Sequence, residues 1–329
     1  GAGFVGATVA ARLLADGRRV RILDNLSRHG SERNLRRLVA DYGGRVEVEI
    51  GDLRDSVAVM RAVEKVDAVL HFGGQVSSRA SVARPQFDFD VNLAGTVRLL
   101  EALRRLGEPP PLLFASTSKV YGALADLRLV RHDLRWEPVD PLIAATGISE
   151  ESLLRPDTPY GCSRSAAEHY VLNYAQNYAF PAVVLRLGSV YGPGGGWVTD
   201  FLRAALAREP ITIFGDGAQV RDILFADDLV AAVVATLERA HESAGTVFNV
   251  GGGADCAVSL LELIELIADV VGRDPDVDHA PTRAGDARYY VSDTIRFADA
   301  TGWAPKTSPR AGLAELHDGE TRATTGAHR

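Results

Sequence analysis

Tyr160-Gly-Cys-Ser-Arg164 sets a phenol and a guanidinium four residues apart. On a helix that spacing puts both on one face, one turn from each other. A free tyrosine ionises near pH ~10, so a phenol that moves protons at neutral pH needs a cation beside it, and Arg164 is the candidate. Upstream, Ser116-Thr117-Ser118-Lys119-Val120-Tyr121-Gly122 follows an apolar run, so its hydroxyls stand where a strand ends. Hydroxyls there can hold the oxygen that gives up its proton. A second chemistry is written at the beginning of the sequence. Gly3 and Gly6 enclose Phe4 and Val5 in a turn that enters a helix, where free N–H groups and the helix dipole favour a pyrophosphate. Asp24 follows about twenty residues later at the end of a strand, the place of a carboxylate that binds a ribose 2′-hydroxyl. It would repel a 2′-phosphate, so NAD is expected rather than NADP. Asn25, Ser27 and Arg28 continue that cofactor loop, and Arg28 is its one basic residue. Asp52 and Leu53 close the next strand and suit an adenine contact.

The elements that must position these groups alternate. Val20–Asp24, Val46–Ile50, Val66–Phe72, Pro111–Ser116 and Ala182–Leu187 read as strands, with helices over Ala7–Ala15, Asn92–Arg105 and Ser163–Tyr178 between them. Strands alternating with helices predict βαβ units and a parallel, doubly wound α/β (Rossmann) sheet. A glycine turn of this kind ordinarily follows a central strand, so a strand ahead of Gly1 is expected. After Gly188 the pattern loosens. A helix over Val198–Ala207, strands at Ile211–Phe214, Arg221–Phe225, Val247–Val250 and Tyr289–Val291, and a helix over Leu260–Val271 predict a smaller α/β lid. The expected division is a dinucleotide domain over 1–187, with segments near 221–250 returning to it, a substrate domain over 188–318 and a disordered tail over 319–329.

Composition bounds the alternatives. The chain has 329 residues, of which 46% are hydrophobic, and a net charge of -7. That acidity, with no long basic run, argues against nucleic acid and membrane surfaces as partners. Cys162 and Cys256 are expected as free thiols in a cytoplasmic protein, with Cys162 a packing residue rather than a nucleophile. No histidine or cysteine cluster has metal-ligand spacing, so no metal is expected.

These motifs resemble those of the extended short-chain dehydrogenase/reductases, the NAD-dependent epimerase/dehydratase group. The likeness runs along nearly the whole chain: His71-Phe-Gly-Gly-Gln-Val76, Asn92 in Val-Asn-Leu-Ala-Gly-Thr, Arg186–Pro193 and Val220-Arg221-Asp222 all match its pattern. Within that group the sequence is similar to the CDP-tyvelose (CDP-paratose) 2-epimerases. The carriers are Ser116–Gly122, the insert with Gly147-Ile-Ser-Glu-Glu151, Pro159–Ser163 and Gly285–Asp293.

The resemblance implies a nucleotide-sugar epimerase that oxidises C2 of a CDP-deoxyhexose with bound NAD and returns the hydride to the other face. Thr117, Tyr160 and Arg164 would be the catalytic residues. Phe72, Gly73, Gly74, Gln75, Asn92, Ser116 and Leu187 would join the cofactor set with Tyr160 and Arg164. Gln75, Ser118, Lys119, Ser189, Val190, Arg221 and Arg288 would face the substrate, the two arginines its diphosphate. Arg186 is expected to brace the sheet. A homo-oligomer, dimer or tetramer, would form through the helices at Asn92–Arg105 and Ser163–Tyr178. Ser118 and Lys119 stand where 4,6-dehydratases carry an Asp-Glu pair, which disfavours dehydration. Arg164 stands where the family has lysine, and it cannot relay a proton. A C4-epimerase and a silent NAD-binding protein therefore stay open.

Overall fold

The computed structural model describes residues 1–283 and 285–326. They divide into two compact units. The first comprises Gly1–Val120, Pro156–Arg186 and Val230–Phe248, and the second Tyr121–Arg155, Leu187–Leu229 and Asn249–Arg329.

In the first unit, β1 (Val20–Asp24) and β2 (Val46–Ile50) pair in parallel, Asp24 opposite Ile50. β3 (Val69–His71) pairs in parallel with β4 (Leu112–Thr117), and the sheet continues through Ala182–Leu187 to Thr246–Val250. The wound α/β class read from the sequence is the one observed. β4 and Ala182–Val184 are buried along their whole length, as expected of strands covered on both faces. Phe114, Val184, Leu99, Leu103, Val59, Ala167 and Val171 form one core between strands and helices. A smaller core of Ala7, Ala10, Leu14, Ile22, Leu35 and Leu38 seats the Phe4–Ala15 helix beside β1.

The second unit is built on Val220–Phe225, which pairs in parallel with Ser189–Tyr191 and Tyr289–Tyr290 and antiparallel with Ala257–Ser259. Helices Trp197–Ala207, Leu260–Val271 and Pro309–Gly326 share its core through Leu202, Leu263, Ile267, Leu313 and Leu316.

Four expectations change. The 121–155 insert, expected in the dinucleotide domain, belongs to the second unit, and of the segments near 221–250 expected to return, Val230–Phe248 lies in the first. The strand at 220–225 stays in the second unit because its hydrogen-bonding edges are taken there. The tail is helical through Gly326, since Leu313 and Leu316 are buried and Glu320 pairs with Arg203 at 2.7 Å; residues 327–329 lie outside the described residues. Asn92, expected to open an α-helix, sits in a π-turn, Asp90–Ala94, ahead of the Gly95–Arg104 helix.

Candidate active site

The helix that carries Tyr160 begins at Pro159, four residues before the predicted start, and runs to Tyr178. Proline suits a first helical position because its missing N–H would have no partner there. The Thr158 hydroxyl accepts from the Gly161 N–H at 3.2 Å, capping the turn, and the Tyr160 N–H donates to Ser81 Oγ at 3.1 Å. Tyr160, Arg164 and Glu168 then recur every fourth residue on one buried face, at 7%, 4% and 1% exposure. Gly161 lies flat on the segment after β4: a Cβ there would stand 2.6 Å from the Lys119 carbonyl oxygen. Any larger residue would push the helix away from Thr117–Lys119.

Arg164 ties the same helix to β4. Its Nη2 donates to the Ala115 carbonyl, and its guanidinium lies 4.4 Å from the centre of the Phe114 ring. Its Nε is buried with no acceptor among the described residues. Burial pushes the Arg164 pKa down, while Tyr160, Glu168 and Asp88 oppose that shift. Glu168 accepts from Arg186 Nη2 at 2.9 Å and Nε at 3.1 Å, and from the Ser116 hydroxyl. Arg186 therefore braces sheet against helix, as read from the sequence. The Ser116 hydroxyl is committed to Glu168, and Thr117 Oγ1 accepts the Lys119 N–H at 3.2 Å. The Tyr160 hydroxyl has no hydrogen-bond partner among the described residues.

Of the predicted cofactor residues, Asp24, Asp52, Phe72 and Ser116 stand at or just past the ends of β1, β2, β3 and β4. Gly3 precedes the Phe4–Ala15 helix, whose first turn holds Phe4, Val5 and Gly6. Asp24 accepts the Ala2 and Leu26 N–H groups at 2.8 and 2.7 Å. Asn25 Nδ2 reaches Asp52 at 2.6 Å, and Asn25 Oδ1 accepts from Ser27, so the two loops are joined; Arg28 is exposed. Hydrogen bonding from Arg54 holds the Asp52 carboxyl well below the usual carboxylate range. Leu53 packs against Gly73. A Cβ on Gly74 would come within 2.8 Å of Asn92 Oδ1 and 3.2 Å of Arg164 Nη1, so the Phe72–Gln75 loop reaches the helix of Tyr160 through glycine alone.

Gln75 has little left to offer a ligand. Its Nε2 donates to Ser77 O at 2.9 Å and Asp88 Oδ1 at 2.8 Å, and its Oε1 accepts the Ser77 N–H. A dinucleotide suits this set on two observations. The space over Gly3, at a helix N-terminus, is open, and the buried Arg164 Nε–H lacks the kind of acceptor that a ribose oxygen provides.

Ser118 and Lys119 are half-buried in the single turn that follows β4. Leu187, Ser189, Val190, Arg221 and Arg288 belong to the second unit. Ser189 and Val190 pair with Ile223 and Leu224. Arg221 Nη2 is bound to Asp286 at 2.5 Å and to the Ala287 carbonyl at 2.6 Å. Arg288 instead lies 4.7 Å over the Trp136 ring and has no carboxylate partner among the described residues. Cys162 is exposed, its thiol turned toward the Pro156 carbonyl, so it is no packing residue.

Sequence reading missed Glu168 and Asp88. Both stand four residues from a residue it singled out, Arg164 and Asn92, a helical spacing that carried the signal.

Residues 1–251 match the model of the NAD dependent epimerase/dehydratase family. The CDP-paratose 2-epimerase of Salmonella typhi is 35% identical over 97% of this chain and 96% of that protein. The UDP-glucose 4-epimerase of Mycolicibacterium smegmatis is 34% identical over 95% and 94%. A solved structure, the Thermus thermophilus UDP-glucose 4-epimerase in complex with NAD, superposes with a TM-score of 0.79 at 33% identity, covering 96% of each chain.

Proposed function

The chain belongs to the NAD-dependent epimerase/dehydratase family, and from that premise we propose that it is an epimerase of a nucleotide-linked sugar, inverting C2 of a CDP-deoxyhexose. The observation that carries the reading is the buried Tyr160–Arg164 face beside the end of β4, with the Tyr160 hydroxyl free of protein partners among the described residues. NAD, when bound, supplies the acceptor for a hydride and gives the same hydride back. Gly3 to Gly6 would hold its pyrophosphate, Asp24 a ribose and Asp52 with Leu53 the adenine.

Tyr160 takes the proton of the sugar hydroxyl as its C–H bond is broken, and returns that proton to the oxygen after the keto sugar has turned over. Thr117 holds the reacting oxygen. Arg164 keeps a positive charge beside the phenolate, a charge that guanidinium does not surrender. Arg288, stacked on Trp136 without a carboxylate partner among the described residues, is the arginine better prepared for the substrate diphosphate; Arg221 would first have to leave Asp286.

The likeness to 2-epimerases supports C2 over C4, and two of the four segments that carry it are neighbours: Ile148 donates to the Val291 carbonyl at 2.7 Å, and Asp293 donates back to Ile148 at 3.0 Å. A C4-epimerase needs only the triad and cofactor, and the 34% identical relative named above keeps that second reading in view. The test is incubation with NAD and CDP-paratose or CDP-tyvelose, following the C1–C2 proton coupling by NMR, with UDP-glucose in parallel followed through its C3–C4 proton coupling. Interconversion of the CDP sugars is expected; inversion of UDP-glucose alone would replace C2 by C4.

A further inference from the structure

Asp88 is a buried carboxylate that the proposed reaction does not use. It is 1% exposed and lies at the end of the short Pro85–Phe89 helix, just before the π-turn. Three donors from three elements converge on it. Ser163 Oγ, on the helix of Tyr160, reaches Oδ2 at 2.5 Å; Gln75 Nε2, on the loop after β3, reaches Oδ1 at 2.8 Å; Asn92 Nδ2, in the π-turn, reaches Oδ1 at 3.1 Å. Asn92 in turn grips the backbone of Gln75 with both ends of its amide. Its Oδ1 accepts the Gln75 N–H at 2.8 Å, and its Nδ2 donates to the Gln75 carbonyl at 2.9 Å.

Helical turns of this widened kind break the usual backbone bonding and gather at functional sites. Here the turn delivers Asn92, which is fully buried, between the loop and the helix. A carboxylate can accept from all three donors at once; a neutral amide can accept only through its oxygen and must point its NH₂ at one of them.

We propose that Asp88 is a positioning residue: it fixes the distance between the Gly73–Gln75 loop and the Tyr160–Arg164 face, and so the placement of the phenol against a cofactor that this loop would help to hold. This rests on the reading under Proposed function. Reactions of this kind need the reacting atoms held near contact distance, and a displacement of about 1 Å costs on the order of a hundredfold in rate.

The experiment compares Asp88→Asn with the unaltered protein at equal bound NAD. Two readouts are taken: kcat and KM for the nucleotide sugar, and the emission of the bound cofactor after reduction with borohydride. The expected result is a kcat lower by about 10- to 100-fold, a KM changed by less than about threefold, and altered emission. A lower melting temperature with unchanged kcat and unchanged emission would make Asp88 a structural residue only and overturn the proposal. If Asp88→Asn does not fold, Ser163→Ala removes one of the three donors, and the same split in smaller measure is expected; unaltered kcat and emission there overturn it equally. If no nucleotide sugar is turned over by the unaltered protein, the proposed reaction falls, and the emission measurement decides Asp88 by itself.

Discussion

Arg164 stands over the ring of Phe114, 4.4 Å from its centre, while its Nη2 holds the carbonyl of the next residue, Ala115. The cation beside Tyr160 is thus fastened to β4 by its planar head. A lysine at this position would present a compact charge on a flexible stem, with neither the stack nor the fork.

Arg164→Lys keeps the charge and is expected to preserve or raise turnover. Arg164→Met removes the charge and is expected to lower kcat by at least about a hundredfold, the scale of a lost acid/base contribution. Steady-state kinetics on NAD-loaded protein reads both. Equal rates for the methionine variant and the parent would take Arg164 out of the reaction.

Tyr160→Phe leaves the helix packing in place, because the Tyr160 hydroxyl makes no hydrogen bond among the described residues. The melting temperature should therefore hold while kcat falls by about a hundredfold or more. Activity within a fewfold of the parent would assign proton transfer to another group.

Glu168→Gln removes the carboxylate charge that meets the buried Arg186 guanidinium at 2.9 Å, with both side chains almost wholly covered. Breaking one partner of such a pair costs about 3–5 kcal/mol, a fall on the order of 10 °C in Tm for a chain of this size. Calorimetry of parent and variant measures it. A fall under about 2 °C would show that the pair stabilises little.

His71 shapes the acid side of the stability curve. Burial, and then the nearby Arg164, push its pKa down to about 3 from 6.5. Its Nε2 lies 3.0 Å from Thr96 Oγ1, and that hydroxyl already donates to the Asn92 carbonyl, so Nε2 carries the donated hydrogen. The folded state then binds fewer protons than the unfolded one. The stability tied to neutral His71 is fully present above the unfolded value of 6.5 and is lost as pH falls toward 3. His71→Gln keeps a donor for Thr96 and does not titrate. Its denaturation midpoint should fall less steeply below pH ~6.5, by up to about 1.4 kcal/mol per pH unit. Parallel curves for the two proteins would contradict this account.

The alternation of apolar strands and helices determined the fold class, because each period is local and needs no partner to be read. The shared helical face of Tyr160 and Arg164 was legible in the same way, from their four-residue spacing, while Thr117 was singled out from the hydroxyl run at the strand end only by the family resemblance. Partners were not legible. That Ser116 would donate to Glu168 instead of facing a ligand, that Gln75 would bind Asp88 and Ser77, and that Arg221 would bind Asp286 all depend on groups 52, 13 and 65 residues away. The tail misled for the same reason: its polar composition resembles a disordered segment, and only burial of Leu313 and Leu316 against other helices makes it a helix. Sequence spacing places a residue on a face of its own element. Packing decides what that face meets, and a buried polar group takes whichever partner lies within hydrogen-bond reach, since leaving it unpaired costs more than the bond itself gains.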